Sequence, residues 1–89
     1  MRESYIEKTV CEYAKSKNWK VYKWSSPGNK GVPDRIMIKK GTIIFIEFKA
    51  TSKKPSELQK IVHSQLIDDG CKVYVIDDIS KGKKLIDSY

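Results

Sequence analysis

The stretch Gly31-Val32-Pro33-Asp34-Arg35-Ile36-Met37-Ile38-Lys39-Lys40-Gly41-Thr42-Ile43-Ile44-Phe45-Ile46-Glu47-Phe48-Lys49-Ala50 decides the fold. Two apolar runs, residues 36–38 and 43–48, flank a Lys40-Gly41 turn, which predicts a β-hairpin. Asp34, Glu47 and Lys49 interrupt the apolar pattern. Strand side chains alternate between faces, so Glu47 and Lys49 project to the same side, about 7 Å apart along the chain. Antiparallel pairing sets the start of the first strand beside the end of the second, which brings Asp34 to Glu47 and Lys49. Ile43 and Phe45 share the face of Glu47 and read as buried. Two carboxylates and an ammonium at one end of an apolar sheet are costly unless they are paired or bind a metal.

The rest of the chain fits around this hairpin in the order αβββαβα. Residues 4–17 predict a helix with Ile6, Val10, Tyr13 and Ala14 on one face. Ser4-Tyr5-Ile6-Glu7 fits a capping box, and Asn18 can stop the helix. Residues 20–24 predict a strand, followed by the turn-rich loop of residues 25–31. A second helix opens near Pro55, carries the apolar stripe Leu58, Ile61, Val62 and Leu66, and ends at Gly70. Residues 73–76 form an apolar strand of the kind expected for a central or parallel position. Asp78 or Ser80 can cap a last helix with Leu85 and Ile86 inward, although Gly82 disfavours it. The strand–helix–strand crossover requires the Glu47 strand and residues 73–76 to be parallel, with a right-handed connection. The fold class is therefore α/β, a mixed sheet flanked by helices, and residues 1–89 make one domain.

A net charge of +7 points to a polyanionic partner, nucleic acid before a membrane surface, because the lysines are scattered rather than gathered on one amphipathic helix. No apolar run is long enough to span a membrane and no signal peptide is visible. Cys11 and Cys71 lack metal-type spacing, which suits a reduced, cytoplasmic setting. A chain this short has a thin core that oligomerisation would support.

Asp34 and Glu47 offer hard oxygen ligands for Mg²⁺ or Mn²⁺, and the Phe48 backbone carbonyl lies between Glu47 and Lys49 to add another. A water made more acidic by such an ion can attack a phosphodiester, with Lys49 holding the water or neutralising charge at phosphorus. Gly31 allows the backbone, or DNA, to approach closely.

Pro33-Asp34, twelve residues, then Glu47-Phe48-Lys49 matches the PD-(D/E)xK nuclease signature. Ile6-Glu7-Lys8, Ser26-Pro27-Gly28-Asn29 with Gly31-Val32-Pro33-Asp34-Arg35, Phe45-Ile46-Glu47-Phe48-Lys49-Ala50, Leu58-Gln59 and Gly70-Cys71-Lys72-Val73 together resemble the virus-type replication-repair nuclease domain, VRR-NUC, in its minimal stand-alone form, often found in phages. The resemblance covers nearly the whole chain and implies the PD-(D/E)xK nuclease core. It further implies a metal-dependent, structure-selective DNA endonuclease, a homodimer acting on four-way (Holliday) junctions, in the cytoplasm of a bacterial host if phage-encoded. By position it assigns the helix-1 acid to Glu7, the metal-binding acids to Asp34 and Glu47, the lysine to Lys49 and the helix-2 glutamine to Gln59. Glu7 is also a candidate metal ligand. Ser26, Lys30, Arg35, Lys53 and Lys54 flank the site as candidate DNA contacts.

Several of these residues have plainer explanations. Glu7 and Gln59 both fit capping boxes, the latter in Ser56-Glu57-Leu58-Gln59. His63, the lone histidine, reads as a helix-surface bystander, Trp24 as core rather than a base-stacking platform, and Lys81, Lys83 and Lys84 as solvated surface. Flap cleavage, restriction of linear duplex and non-catalytic DNA binding by charge alone are the competing functions.

Overall fold

Helix α1 (Glu3–Ser16) opens the chain, and a meander of β1 (Lys20–Lys23), β2 (Arg35–Lys39) and β3 (Thr42–Phe48) follows it. Then come α2 (Glu57–Asp68), β4 (Val73–Ile76) and α3 (Ile79–Asp87), in a computed structural model that describes residues 1–89. The element order is the predicted one. The single sheet runs β1-β2-β3-β4, antiparallel through the meander and parallel between β3 and β4, with α2 as the crossover. β4 is thus an edge strand, not a central one, and its Val75 is exposed. Its apolar run reflects parallel pairing without burial on both faces.

Hairpin register positions the charged residues. Lys39 pairs with Thr42, leaving a two-residue turn in which Lys40 has φ 47° and Gly41 φ 82°. Positive φ at both central positions is the turn type whose twist matches that of paired strands, and Gly41 adopts it without steric penalty. From this turn the ladder runs back to Arg35 opposite Ile46, so Asp34 falls opposite Glu47.

The two sheet faces differ. Ile44, Ile46 and Phe48 project to one face with Met37, where they are fully buried against Ile6, Val10 and Ala14 of α1 and Ile86 of α3. The opposite face carries Ile43, Phe45, Glu47 and Lys49 and lies under α2. Ile43 is half exposed rather than buried as expected, because α2 covers this face thinly and does not reach the hairpin tip. Leu58 and Ile61 of α2 are also about half exposed, and its one buried residue is His63. The face of α2 turned to the sheet follows Gln59, Val62, His63 and Leu66, rotated from the stripe read in the sequence.

Both long helices stop in the same way. The amides of Asn18 and Trp19 bond back to Lys15 and Ala14, and those of Gly70 and Cys71 to Ile67 and Leu66. This double bond pattern satisfies carbonyls that a helix end leaves open. The start of α1 departs from expectation. Its N-cap is Arg2, with no side-chain cap, and Ser4 lies inside the first turn. The Met1 carbonyl accepts from the Thr51 amide at 3.1 Å, which fixes the extended entry ahead of Glu3 and leaves no capping box for Ser4 and Glu7.

Two glycines mark close approaches. Gly31, at φ +95°, would place a Cβ 2.8 Å from Val62 Cγ2 and 3.2 Å from the Leu58 carbonyl. It is helix α2, not DNA, that this glycine admits. Gly82 sits in α3, where a Cβ would lie 2.5 Å from Val10 Cγ2. The α1–α3 contact therefore explains a glycine that helix propensity disfavours. Gly82→Ala is expected to lower stability, since overpacking costs about 1–3 kcal/mol and offsets the gain of about 1 kcal/mol from replacing a helical glycine. Urea unfolding followed by circular dichroism gives the sign, and an unchanged or higher midpoint would show that α3 packs loosely.

Candidate active site

Asp34 precedes β2 and Glu47 lies near the end of β3. Asp34 is tied into the sheet from both sides. The Phe48 amide donates to its Oδ2 at 2.8 Å, and the Trp24 amide donates to its carbonyl at 3.0 Å. Pro33 just before it is buried and has no N–H to donate to the ladder, and the Phe48 amide donates to the Asp34 carboxylate. The side chain is thus held at the strand end beside Glu47.

Glu47 is 2% exposed, unusual for a carboxylate. Its Oε2 accepts from Gln59 Nε2 at 3.0 Å and lies 3.5 Å from Lys49 Nζ. Its Oε1 faces His63 Nε2 at 3.8 Å, too long for a hydrogen bond, and both atoms are buried without a partner. Burial, and next the charge of Asp34, push the Glu47 carboxyl up to about 7, against the opposing pull of Lys49. Burial also lowers the pKa of His63, reinforced by the charge of Lys49.

Gln59 combines two roles that the sequence leaves as alternatives. Its amide donates to Ser56 Oγ at 3.1 Å and its Oε1 accepts from the Ser56 amide at 2.9 Å, which completes the capping box of α2. Its Nε2 is thereby left free to reach Glu47. The cap fixes the side chain and so aims the second donor.

Glu7 is directed elsewhere. Its Oε2 accepts from Arg35 Nε at 2.7 Å, on the α1 side of the sheet, whereas Glu47 and Lys49 project toward α2. The same pair engages Arg35, one of the expected DNA contacts. No third aspartate, glutamate, histidine or cysteine joins Asp34 and Glu47 in a three-ligand cluster. Two carboxylates that repel one another, one with an orphaned buried oxygen, still suit a divalent cation. Magnesium in particular binds through one or two carboxylates and retains waters. Asp34, Glu47 and the Phe48 carbonyl are the groups that could hold it.

The remaining candidates line two grooves. Ser26 and Lys30 border one of about 660 Å³ with Trp24, Val32, Leu58 and Leu66. Trp24 packs at 5.1 Å against Phe45 and keeps part of its ring in that groove. Lys53 and Lys54 border the other, of about 470 Å³, together with Lys60, His63 and Lys81. Lys81, set aside from sequence as solvated surface, thus lies on the same groove, tied to Asp77 at 3.3 Å. His63 is the residue that sequence reasoning misplaced. Its i+4 spacing from Gln59, which puts both on one helical face, was the available signal.

No family model matches the chain. It is 40% identical over 78 residues to "Putative nuclease p44" of Acyrthosiphon pisum secondary endosymbiont phage 1, spanning 86% of this chain and 84% of that protein. A solved structure described as a VRR_NUC domain superposes with a TM-score of 0.89 at 29% identity, over 98% of this chain and 96% of that one.

The raised Glu47 pKa has a measurable consequence. A carboxyl shifted from 4.5 to about 7 on folding favours the protonated folded state, so its contribution to stability is complete below pH 4.5 and lost as pH rises through 7. The upper bound is about 3 kcal/mol. Thermal unfolding in EDTA between pH 5 and 8 is expected to show this loss in the wild type and not in Glu47→Gln. Equal slopes in the two proteins would mean that Glu47 is not strained by burial.

Proposed function

The chain belongs to the VRR-NUC nuclease family, and on that premise we propose that it is a metal-dependent, structure-selective DNA endonuclease that resolves four-way junctions as a homodimer. The observation that carries the hydrolytic part is the buried Glu47 carboxylate beside Asp34, with Lys49 at 3.5 Å. Asp34, Glu47 and the Phe48 carbonyl would hold Mg²⁺ or Mn²⁺. When bound, such an ion supplies Lewis acidity that makes a water more acidic and offsets phosphate charge. Lys49 stands over the Glu47 carboxylate, where its ammonium can orient the attacking water and stabilise negative charge building at phosphorus. Gln59 holds the Glu47 carboxylate by its Oε2. Glu7, with its charge met by Arg35, locks α1 onto β2.

The basic surface supports DNA as the substrate. Lys53 and Lys54 make no ion pair, border a groove that His63 also lines, and are suited to phosphates. No helix is long and apolar enough to cross a membrane. The phage origin of the relative fits action in the cytoplasm of an infected bacterium.

The dimer rests on two considerations. Symmetric cutting of a junction needs two sites related by a two-fold axis, and this chain holds one. Helix α2 also leaves Leu58, Ile61 and Ile67 48%, 55% and 52% exposed beside the groove of Trp24 and Val32, a surface that a second copy would cover.

With Mg²⁺ or Mn²⁺, and duplex, single-stranded, flap and four-way-junction DNA offered side by side, the junction is expected to be cut. Asp34→Ala and Lys49→Ala are expected to lose about 10² or more in rate. Cleavage of flaps or plain duplex alone would redirect the substrate, and unimpaired variants would leave only a basic binding module. Sedimentation is expected to give a dimer at micromolar concentration and a monomer for Ile61→Asp. A wild-type monomer that still resolves junctions would overturn the dimer.

A further inference from the structure

Three buried side-chain polar atoms lack partners, and two of them, Glu47 Oε1 and His63 Nε2, face each other across the site, while the third, Trp19 Nε1, belongs to the apolar core. The rest of the Glu47 carboxylate is accounted for, since Gln59 and Lys49 both attend Oε2. Helix α2 buries no other side chain, although it has three large aliphatic residues about half exposed. The helix therefore spends its best-covered position on an imidazole. It lies one turn beyond Gln59, on the same face.

We propose that His63 is a positioning residue for the cation site: its Nε2–H donates to Glu47 Oε1 and, with Gln59 on Oε2, sets the rotation of the carboxylate that the ion requires. This rests on the nuclease reading above and adds to it. A carboxylate held on one oxygen only can swing about its terminal bond. Donors on both oxygens remove that freedom and still leave Oε1 a lone pair for an ion. Outer partners of this kind orient metal-binding carboxylates. The 3.8 Å separation exceeds a hydrogen bond by less than 1 Å, and such contacts commonly tighten only when the site is loaded. His63 also borders the lysine-lined groove, so it stands between the proposed phosphate path and Glu47. Its side chain is 7% exposed, with Nε2 aimed at a carboxylate and away from solvent, an arrangement suited to holding and not to relaying protons to water.

The test compares Mn²⁺ binding by calorimetric titration in wild type, His63→Leu and His63→Gln, with circular dichroism to verify folding. His63→Leu is expected to bind Mn²⁺ about 10–100-fold more weakly. His63→Gln, which returns an amide N–H near the position of Nε2, is expected to recover most of that loss. A role confined to packing would change melting temperature and leave Mn²⁺ affinity alone. Equal affinity in wild type and His63→Leu would overturn the inference and leave the nuclease reading standing, whereas a wild type that binds no divalent ion would overturn both. Should His63→Leu fail to fold, the ring-nitrogen spectrum of ¹⁵N-labelled wild type with Mg²⁺ decides. A tautomer protonated at Nε2 is expected, and a bare Nε2 would remove the donor and the inference with it.

Discussion

Burying a carboxylate in a small α/β domain is unfavourable unless something in the site makes use of the charge. Glu47 is buried near the end of β3, which pairs on both sides, and its surroundings only partly compensate for the lost water. Gln59 donates one hydrogen bond, Lys49 supplies a nearby ammonium, and Asp34 adds repulsion. The local structure serves this arrangement at several points. The two-residue turn sets the register, the Phe48 amide anchors the Asp34 carboxylate, and the capping box aims Gln59 inward. Each is a feature of local backbone chemistry, and each would be a curiosity if Glu47 were a surface residue.

Much of this was legible in the sequence because it depends on short-range rules. Strand alternation puts Glu47 and Lys49 on one face, and antiparallel pairing puts Asp34 beside them. The Lys40-Gly41 turn leaves little freedom of register. Of the two residues that could cap α3, Asp78 and Ser80, it is Asp78 that does so, and Gly70 terminates α2 with the expected bonds. The parallel β3–β4 pairing follows from the intervening helix. Family resemblance carried the assignment of Gln59, and the structure shows why capping and contact with Glu47 are compatible.

What was not legible depends on packing between elements. Ser4 and Glu7 have capping-box spacing, but a bond from Thr51 to the Met1 carbonyl determines where α1 begins, and no local pattern reports it. Glu7 then meets Arg35, a pairing across 28 positions that decides what both side chains are free to do. The phase of α2 was misread because its most apolar stripe is not its buried face. Hydrophobic periodicity locates the inner side of a helix when burial drives its packing. Here a glutamine and a histidine join Val62 and Leu66 on the inward face, and Leu58 and Ile61 remain outside. Gly82 shows the same limit: its helical cost is visible in the sequence, while Val10, the reason for it, is not.

The asymmetry of the sheet ties these observations together. One face carries the core, with Met37, Ile44, Ile46 and Phe48 sealed by α1 and α3. The other is half covered by α2 and holds the charged cluster, both grooves and the exposed aliphatic residues. Stability and chemistry are therefore placed on opposite sides of the same strand, one residue apart along β3. A domain with so thin a core cannot bury polar groups within it, yet the site needs partial exclusion of water to strengthen its electrostatics. Assigning alternate residues of one strand to the two tasks meets both demands. It also leaves α2 loosely attached with apolar surface showing, so the element that aims Gln59 and His63 at Glu47 is the one that a second subunit would have most reason to cover.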